Sequence, residues 1–440
     1  MMHEDVLYLH PYRNKDENIF LTIPMGLIGI VNNLIHNGIS VKGYNIPLER
    51  KLNLNFSVSG TVRNSLAKYV LIDLHWYEHS YGAIDLARIV KLVSPEKKVI
   101  LGGLTATIFC EQILSHYDCI DFVLSGEAEI STLELIRALE KDRHESLFEI
   151  SGLCYRFGGV IRKNQITYHR NKDIDGYCYI NVDWLNNKEH YFRSTASGIG
   201  NPQKAFWLLI ASGCIYDCSY CGGGKSAILR TYGRTNITVR SYVKVVEDII
   251  QLVKSGIDII KPSHDFSMLG REYWMQLLQG LMDNGVKPGL YHECFQCPSI
   301  DFIRAIYFVF DPNRTVLVFS PLTASEEHRR KNGKFFSNRK LLECLAECNQ
   351  LGIRAELAFS ENLPGTTSEY ANDQKYFLEE IYKVYPGIGY YSTEIALDPN
   401  SNMSFTPKDF GITVKFSNFL DYYNYTSKIG KVNVNGYTNF

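Results

Sequence analysis

Apolar positions along the chain fall into two alternating series. In the first 145 residues, short and nearly continuous apolar runs read as strands: "VLYLH" (6–10), "SVKGYNI" (40–46), "YVLIDLHW" (69–76), "KKVILGG" (97–103) and "CIDFVLSG" (119–126). Stretches whose apolar residues recur every three or four positions read as helices at 24–37, 81–93, 107–116 and 130–141. Continuous apolar runs suit parallel strands buried on both faces. Strand–helix alternation predicts an open, doubly wound, Rossmann-like α/β sheet, with ligands beyond the carboxyl ends of the strands. Residues 149–170 read as a β-hairpin turning at Gly158-Gly159, followed by a polar, aromatic linker over 171–200 that Pro202 closes.

The second series starts at 206. Strands are expected at 206–211, 257–262, 287–294, 315–320, 353–360 and 387–395, and helices at 236–255, 270–284, 299–308, 338–351 and 367–383. That makes six β/α units, a partial barrel short of the eight of a closed one. The expected domains are 1–148, the connecting 149–200, the partial barrel over 201–400 and an extension over 401–440.

Composition narrows the function. The 46 basic and 47 acidic residues leave a formal charge of −1, which argues against nucleic acid and against anionic lipid as partners. No apolar run is long enough for a membrane span, and "MMHEDVLYLHPY" does not read as a signal peptide. Eleven cysteines without a secretion signal suggest a reducing, cytoplasmic setting, where clustered cysteines bind metal or do chemistry.

Three of them, Cys214, Cys218 and Cys221, sit in "LLIASGCIYDCSYCGGGKS" (208–226), in the loop after the first strand of the second series. A structural zinc site needs four ligands, and the loop has no fourth Cys or His. A [4Fe–4S] cluster held by three thiolates leaves one iron open for a ligand. The glycines after Cys221 let backbone pass close to a cluster, and Tyr220 would shield one side of it. A zinc knuckle with a remote fourth ligand is the alternative. Two near-matches fail. Gly-Lys-Ser at 224–226 lacks the first glycine of a phosphate loop, its place being held by Ser219. "HWYEH" (75–79) has H-x-x-E-H spacing but sits at a strand end, not on a helix.

"CIYDCSYC" after a barrel's first strand resembles the cluster motif of radical S-adenosylmethionine (SAM) enzymes, although the aromatic residue stands one place later than in the common C-x3-C-aromatic-x-C form. The resemblance implies that Cys214, Cys218 and Cys221 are cluster ligands. It also implies that the open iron chelates SAM, and that one electron splits SAM to a 5′-deoxyadenosyl radical. An electron donor such as flavodoxin or ferredoxin is then a partner.

Residues 1–170 resemble the cobalamin-binding domains fused to such barrels, on the phrases "PMGLIGIVNNLIHNGISV", "VILGGLTATIFCEQIL" and "IDFVLSGEAEISTLELI". The family's Gly-Gly and Gly-Glu pairs match Gly102-Gly103 and Gly126-Glu127, which the resemblance places against the corrin or its tail. The axial-histidine motif D-x-H-x-x-G is absent after the first strand. Asp73-x-His75 lies after the third, with Glu78 in the glycine position. His75 and Trp76 are therefore expected to line the corrin face or to pack the domain, without ligating cobalt.

The ends of the second, third and fourth barrel strands supply His264 and Asp265, His292 and Glu293, and Ser320 as candidates for SAM or substrate. Arg329 or Arg330 could pair with the SAM carboxylate. Cys294 and Cys297 could form half of a second metal site or give a hydrogen atom to a substrate radical. Cys344 and Cys348, at i,i+4 on a helix, read as core. "LPGTT" (363–367) resembles a turn common in these fused enzymes. The resemblance implies methylation of an unactivated carbon of a small molecule. A radical rearrangement, dehydration or fragmentation without methyl transfer stays open, as does a non-catalytic cobalamin-binding module.

Overall fold

The structure, a computed structural model, describes residues 4–14, 21–169, 174–195, 203–234, 236–365, 368–428 and 436–439. Its chain forms two compact units. The first comprises Met1–Tyr191, Leu229–Arg234 and Lys415–Val432; the second comprises Phe192–Ile228, Thr235–Val414 and Asn433–Phe440.

In the first unit the chain runs β1 (Val6–His10), α1 (Met25–His36), β2 (Val41–Asn45), α2 (Ile46–Leu52), α3 (Val58–Asn64), β3 (Tyr69–Asp73), α4 (Ser80–Val93), β4 (Lys98–Gly102), α5 (Leu104–His116), β5 (Phe122–Leu124) and α6 (Glu129–Glu140). The hairpin follows as β6 (Leu153–Phe157) and β7 (Val160–Lys163). The sheet order is β2-β1-β3-β4-β5-β6-β7. The first five strands pair in parallel and the last two antiparallel. Every residue of β1 and β3 is buried, as a strand covered on both faces requires. The order doubles back at β1/β3, which makes their carboxyl ends the switch point of the sheet. The hairpin is an extension of this sheet rather than part of a separate connector. Helices α2 and α3 were not expected from the sequence. The linker is described only over 174–195, and Pro202 lies outside the described residues.

The rest of the chain is α7 (Lys188–Thr195), β8 (Ala205–Leu208), β9 (Ala211–Ser212), α8 (Lys225–Tyr232), β10 (Thr238–Val239), α9 (Tyr242–Lys254), β11 (Ile259–Pro262), α10 (Arg271–Asp283), β12 (Gly289–Cys294), α11 (Ile300–Val309), β13 (Thr315–Leu322), α12 (Glu326–Lys331), α13 (Asn338–Leu351), β14 (Arg354–Ser360), α14 (Ser368–Val384), β15 (Gly389–Thr393), α15 (Asn402–Phe405), β16 (Ile412–Val414), α16 (Phe419–Thr426) and β17 (Tyr437–Asn439). Serines cap three of these helices: Ser241, Ser299 and Ser337 each accept a backbone N–H from the first turn of α9, α11 and α13, and α9 starts at Tyr242, later than the 236 expected.

The second unit is built on the six-stranded parallel sheet β8-β11-β12-β13-β14-β15. Strand order follows chain order, so right-handed crossovers put the connecting helices on one face. Successive helices α9, α10, α11, α13 and α14 do pack neighbour on neighbour. The sheet is open, a partial barrel. The 401–440 stretch divides. Helix α16 belongs to the first unit, where Phe419 and Tyr422 stack on Phe109. β17 pairs with β16 in the second. Among the described residues no helix is long and apolar enough to cross a membrane.

Candidate active site

The cysteine loop leaves β8 through the short strand β9, which pairs with β10. It turns at Gly213, whose φ of 85° is left-handed, and ends where α8 begins. Four contacts within the second unit fix it. Asp217 accepts the Ser226 N–H at 3.0 Å and the Ser226 hydroxyl, tying the loop to the start of α8. His264 donates from Nε2 to the Gly213 carbonyl at 2.6 Å, while Ser263 Oγ meets its Nδ1 at 2.8 Å. Ser219 donates to Asn332 Oδ1 at 2.6 Å. Asp398 accepts the Gly222 N–H at 2.9 Å, and its own N–H donates to the Tyr220 carbonyl.

Two sulfurs receive backbone N–H groups: Tyr216 N–H to Cys214 Sγ at 3.4 Å and Gly223 N–H to Cys221 Sγ at 3.3 Å. Such donors tune and hold metal-bound thiolates. Burial pushes the Cys214 thiol up to about 11 and the Cys221 thiol up to about 12, so ligation would have to displace protons. Among the described residues no three His, Cys, Asp or Glu side chains stand assembled around one point. For the cysteines the fit rests on donor chemistry and loop support, metal sites being commonly completed on binding.

The structure separates residues that the sequence groups together. Tyr220 packs into apolar clusters with Leu397 and Met403 and with Leu322 and Leu363. Its hydroxyl meets the Cys218 thiol, so it stays beside the cysteines. Asp265 is fully buried and accepts from Ser267 N–H and Oγ and from Phe295 N–H. His292 is also buried, its Nε2 accepting the Phe266 N–H at 3.1 Å and its Nδ1 lying 3.6 Å from Cys294 Sγ. His292 and Cys294 thus face the helix layer, whereas Glu293 between them is exposed on the opposite face, as period-2 alternation demands. Ser320, half-buried, belongs to β13.

Arg329 is fully buried and donates to the carbonyls of Pro321, Phe336 and Thr323 and to Asn338 Oδ1. Its guanidinium is committed to bracing the segment around α12. Its neighbour Arg330 instead lines a cavity of about 490 Å³ with Tyr216, Gln296, Cys297, Phe335 and Lys340. Cys297 and Cys294 therefore do not share a surface. Cys297 is hydrogen-bonded to Cys344, and burial pushes its thiol up. Thr366 and Thr367 of the "LPGTT" turn lie outside the described residues.

Sequence reasoning missed Asp398, which is remote in sequence and carries no motif, and the mixed aromatic and charged character of one face of the six-stranded sheet. There Trp207 stands beside Lys261, Tyr291 beside Val316, and Val316 beside Arg354. Lys261 Nζ lies 4.5 Å from the Tyr291 ring centre and 5.2 Å from that of Trp207. In the next row Glu293, Val318 and Glu356 are neighbours. Burial lowers the Lys261 ammonium to about 8.

At the carboxyl end of the first unit's sheet, Asp73 Oδ1 accepts from Tyr8 at 2.6 Å and pairs with His10 Nδ1 at 2.9 Å. Its Oδ2 is buried with no hydrogen-bond partner among the described residues. The rings of His10 and His79, Trp76 and His79, and His75 and Trp76 meet edge-on. Gly102 and Gly103 differ. A Cβ on Gly102 would meet only the Leu124 carbonyl, at 3.7 Å, whereas Gly103 has a φ of 115° and its Cβ would lie 2.7 Å from Leu74 and His75 backbone. Gly126 also has a positive φ, and a Cβ there would touch Ile166. Glu127 is buried in an ion pair with Arg234 at 2.8 Å.

No family model matches the chain. It is 25% identical over 210 residues to an anaerobic magnesium-protoporphyrin IX monomethyl ester cyclase of Cereibacter sphaeroides, covering 47% of this chain and 32% of that one. It is 23% identical over 290 residues to the hopanoid C-3 methylase of Methylococcus capsulatus, covering 66% and 51%. The chain thus spans about a third to a half of the length of these relatives. Among solved structures it is similar to the radical SAM methyltransferase TsrM of Kitasatospora setae, with cobalamin and [4Fe–4S] cluster bound, at a TM-score of 0.73, 14% identity and coverage of 94% and 78%. It is also similar to the cobalamin-dependent SAM radical enzyme OxsB with aqua-cobalamin, at a TM-score of 0.69, 13% identity and coverage of 99% and 64%. The chain therefore has the α/β fold of the cobalamin-dependent radical SAM enzymes TsrM and OxsB.

Proposed function

We propose that this chain is a radical SAM enzyme with an N-terminal cobalamin-binding domain, and that it methylates an unactivated carbon of a small molecule. The observation that carries the reading is the three-cysteine loop. It leaves the first strand of a six-stranded parallel sheet, its sulfurs are met by backbone N–H groups, and His264, Asn332 and Asp398 brace it. When bound, a cluster with one open iron would supply reductive cleavage of SAM, and cobalamin would supply methyl transfer.

The chain's own part is holding and shielding. Cys214, Cys218 and Cys221 are the cluster ligands. Asp217, His264 and Asp398 fix the loop that presents them. Arg330 is the guanidinium that faces the cavity beside Tyr216 and is the one suited to a SAM carboxylate. At the switch point of the first sheet, the Oδ2 of Asp73, which meets no donor among the described residues, leaves an acceptor for a bound ligand. The half-exposed His75 and Trp76 and the open space above Gly102 fit a corrin lying over the strand ends. The electron needed for cleavage comes from a flavodoxin- or ferredoxin-like donor. The relatives are named for a methylation and for a ring closure, so a radical outcome without methyl transfer is the second reading.

The test is anaerobic purification with metal and sulfide analysis. The reading expects about four irons and four sulfides per chain, abolished when Cys214, Cys218 and Cys221 are replaced together by Ala and retained when Cys344 and Cys348 are replaced. Stoichiometric zinc without sulfide overturns it. Equilibrium dialysis against hydroxocobalamin tests the other half, and binding weaker than about millimolar removes cobalamin from the account.

A further inference from the structure

Cys297 and Cys344 meet from separate elements of the second unit. Cys297 lies just past the end of β12, and Cys344 is on α13. Their thiols are hydrogen-bonded to each other. Cys344 is fully buried, and its Sγ also meets the Pro298 carbonyl at 3.5 Å. Cys297 is half-buried and lines the cavity of about 490 Å³. Cys294 and Cys348 are buried close by, yet among the described residues no three such side chains converge on a metal position. The pair is thus arranged as a dithiol, with one sulfur open to a small molecule and a second within reach of the first. Thiols in hydrogen-bond contact need only a small side-chain movement to close a disulfide.

The cavity has a charge preference. Arg330 and Lys340 line it, and none of its lining residues is a carboxylate. Lys340 keeps only a loose contact with Glu343, at 3.9 Å. Arg329 beside Cys297 and Lys340 beside Cys344 favour thiolates, against the burial that favours thiols. The site also adjoins the cysteine loop. Gln296 donates to the Gly333 carbonyl at 2.8 Å and accepts the Phe335 N–H at 2.7 Å. A Cβ on Gly333 would lie 2.8 Å from Cys218 Cα.

We infer that Cys297 and Cys344 form a thiol–disulfide exchange site that takes an anionic, low-molecular-weight disulfide from the cavity. The Cys297 thiolate, its proton lost to water, attacks one sulfur of that disulfide. The S–S bond breaks, one half leaves as a thiolate, and the other stays as a mixed disulfide. The Cys344 thiolate then attacks the Cys297 sulfur and expels the second half. The pair loses two electrons and two protons, and the small disulfide becomes two thiols. This chemistry needs neither SAM nor a cluster, so it stands apart from the function proposed above.

The experiment incubates the anaerobically purified full chain with glutathione disulfide, which is anionic, with neutral bis(2-hydroxyethyl) disulfide or with cationic cystamine. Remaining thiols are then blocked with N-ethylmaleimide. Peptide fragmentation in the mass spectrometer separates Cys297 from Cys294 and Cys344 from Cys348. The exposed Cys178 reports the intrinsic reactivity of each disulfide.

Wild type is expected to give the Cys297–Cys344 disulfide, reversed by dithiothreitol. Cys344→Ser, which keeps a hydroxyl for the Pro298 carbonyl, should stop at the mixed disulfide on Cys297. Relative to Cys178, Cys297 should react at least about threefold faster with glutathione disulfide than with cystamine at low ionic strength. Lys340→Gln or added salt should narrow that ratio. A Cys297 that stays reduced while Cys178 is modified, a mixed disulfide that persists in wild type, or a preference for cystamine overturns the inference. All three are read on wild type, whether or not the variants fold. Added SAM should slow the exchange if Arg330 holds its carboxylate. An unchanged rate with SAM present defeats that assignment and leaves the thiol site standing.

Discussion

The imidazole of His264, at the end of β11, donates to the carbonyl of Gly213, one residue before Cys214, at 2.6 Å. Its other nitrogen is held by Ser263, which also accepts the Ile210 N–H. A residue expected to touch SAM is thus a strut for the cluster loop. Replacing it by Ala leaves the Gly213 carbonyl without its donor and the turn loose. Supporting contacts of this kind are worth about 10–100-fold in metal affinity. His264→Ala should therefore lose iron to a chelator at least about tenfold faster than wild type, followed by the decay of the cluster's visible absorbance.

Asp398 gives a second strut from the far side. Its carboxylate accepts the Gly222 N–H, and burial raises it to about 6. Asp398→Ala should shed iron during dialysis, while Asp398→Asn keeps an acceptor and should hold most of it. Equal retention by the two variants would remove Asp398 from the loop's support.

Gly102 and Gly103 read alike in the sequence and behave differently in the fold. Gly103→Ala places a methyl against Leu74 and His75 backbone at a φ that non-glycine residues adopt at a cost of about 1–3 kcal/mol. It should lower the urea midpoint of the protein whether or not cobalamin is present. Gly102→Ala should leave that midpoint near wild type. Gly102→Phe should fold but bind hydroxocobalamin more weakly in dialysis, which separates a packing role from an approach role.

The order of strands and helices was legible because both sheets are parallel and buried: β1 and β3 announce themselves as unbroken apolar runs. The cysteine loop was legible because its ligands are contiguous. Three kinds of information were not. Facing depends on strand register, so His292 and Glu293 read as a pair although alternation sends them to opposite faces. Burial hides charge, so Arg329 read like Arg330 although its donors are taken by Pro321, Thr323 and Phe336. Long-range contacts leave no local trace. Asp398 braces a loop some 180 residues earlier, and α16 returns to the first unit by its aromatic residues.

The Asp73 carboxyl predicts a pH dependence. Burial alone would push it up. His10, then His79 and the Tyr8 hydroxyl, more than offset this and hold it below its ordinary 3.8. A carboxyl held lower in the folded chain than in the unfolded one adds stability above its unfolded value, and that stability is lost as pH falls through the folded value. Wild type should exceed Asp73→Asn in urea midpoint by a constant margin from pH 7 to about 5. The margin should close as the solution is acidified below about 4. A margin unchanged at pH 3 would show that the carboxylate is not what His10 and Tyr8 hold.

The most direct measurement is product analysis of the anaerobically reconstituted protein with SAM, a one-electron reductant, hydroxocobalamin and a substrate-bearing extract. Methylation through cobalamin uses one SAM as methyl source and a second as radical source. The account therefore expects 5′-deoxyadenosine and S-adenosylhomocysteine together in comparable amounts, both lost when Cys214, Cys218 and Cys221 are replaced. 5′-Deoxyadenosine without S-adenosylhomocysteine would replace methyl transfer by the rearranging or ring-closing reading. Neither product from a protein whose cluster is intact would contradict the account at its root.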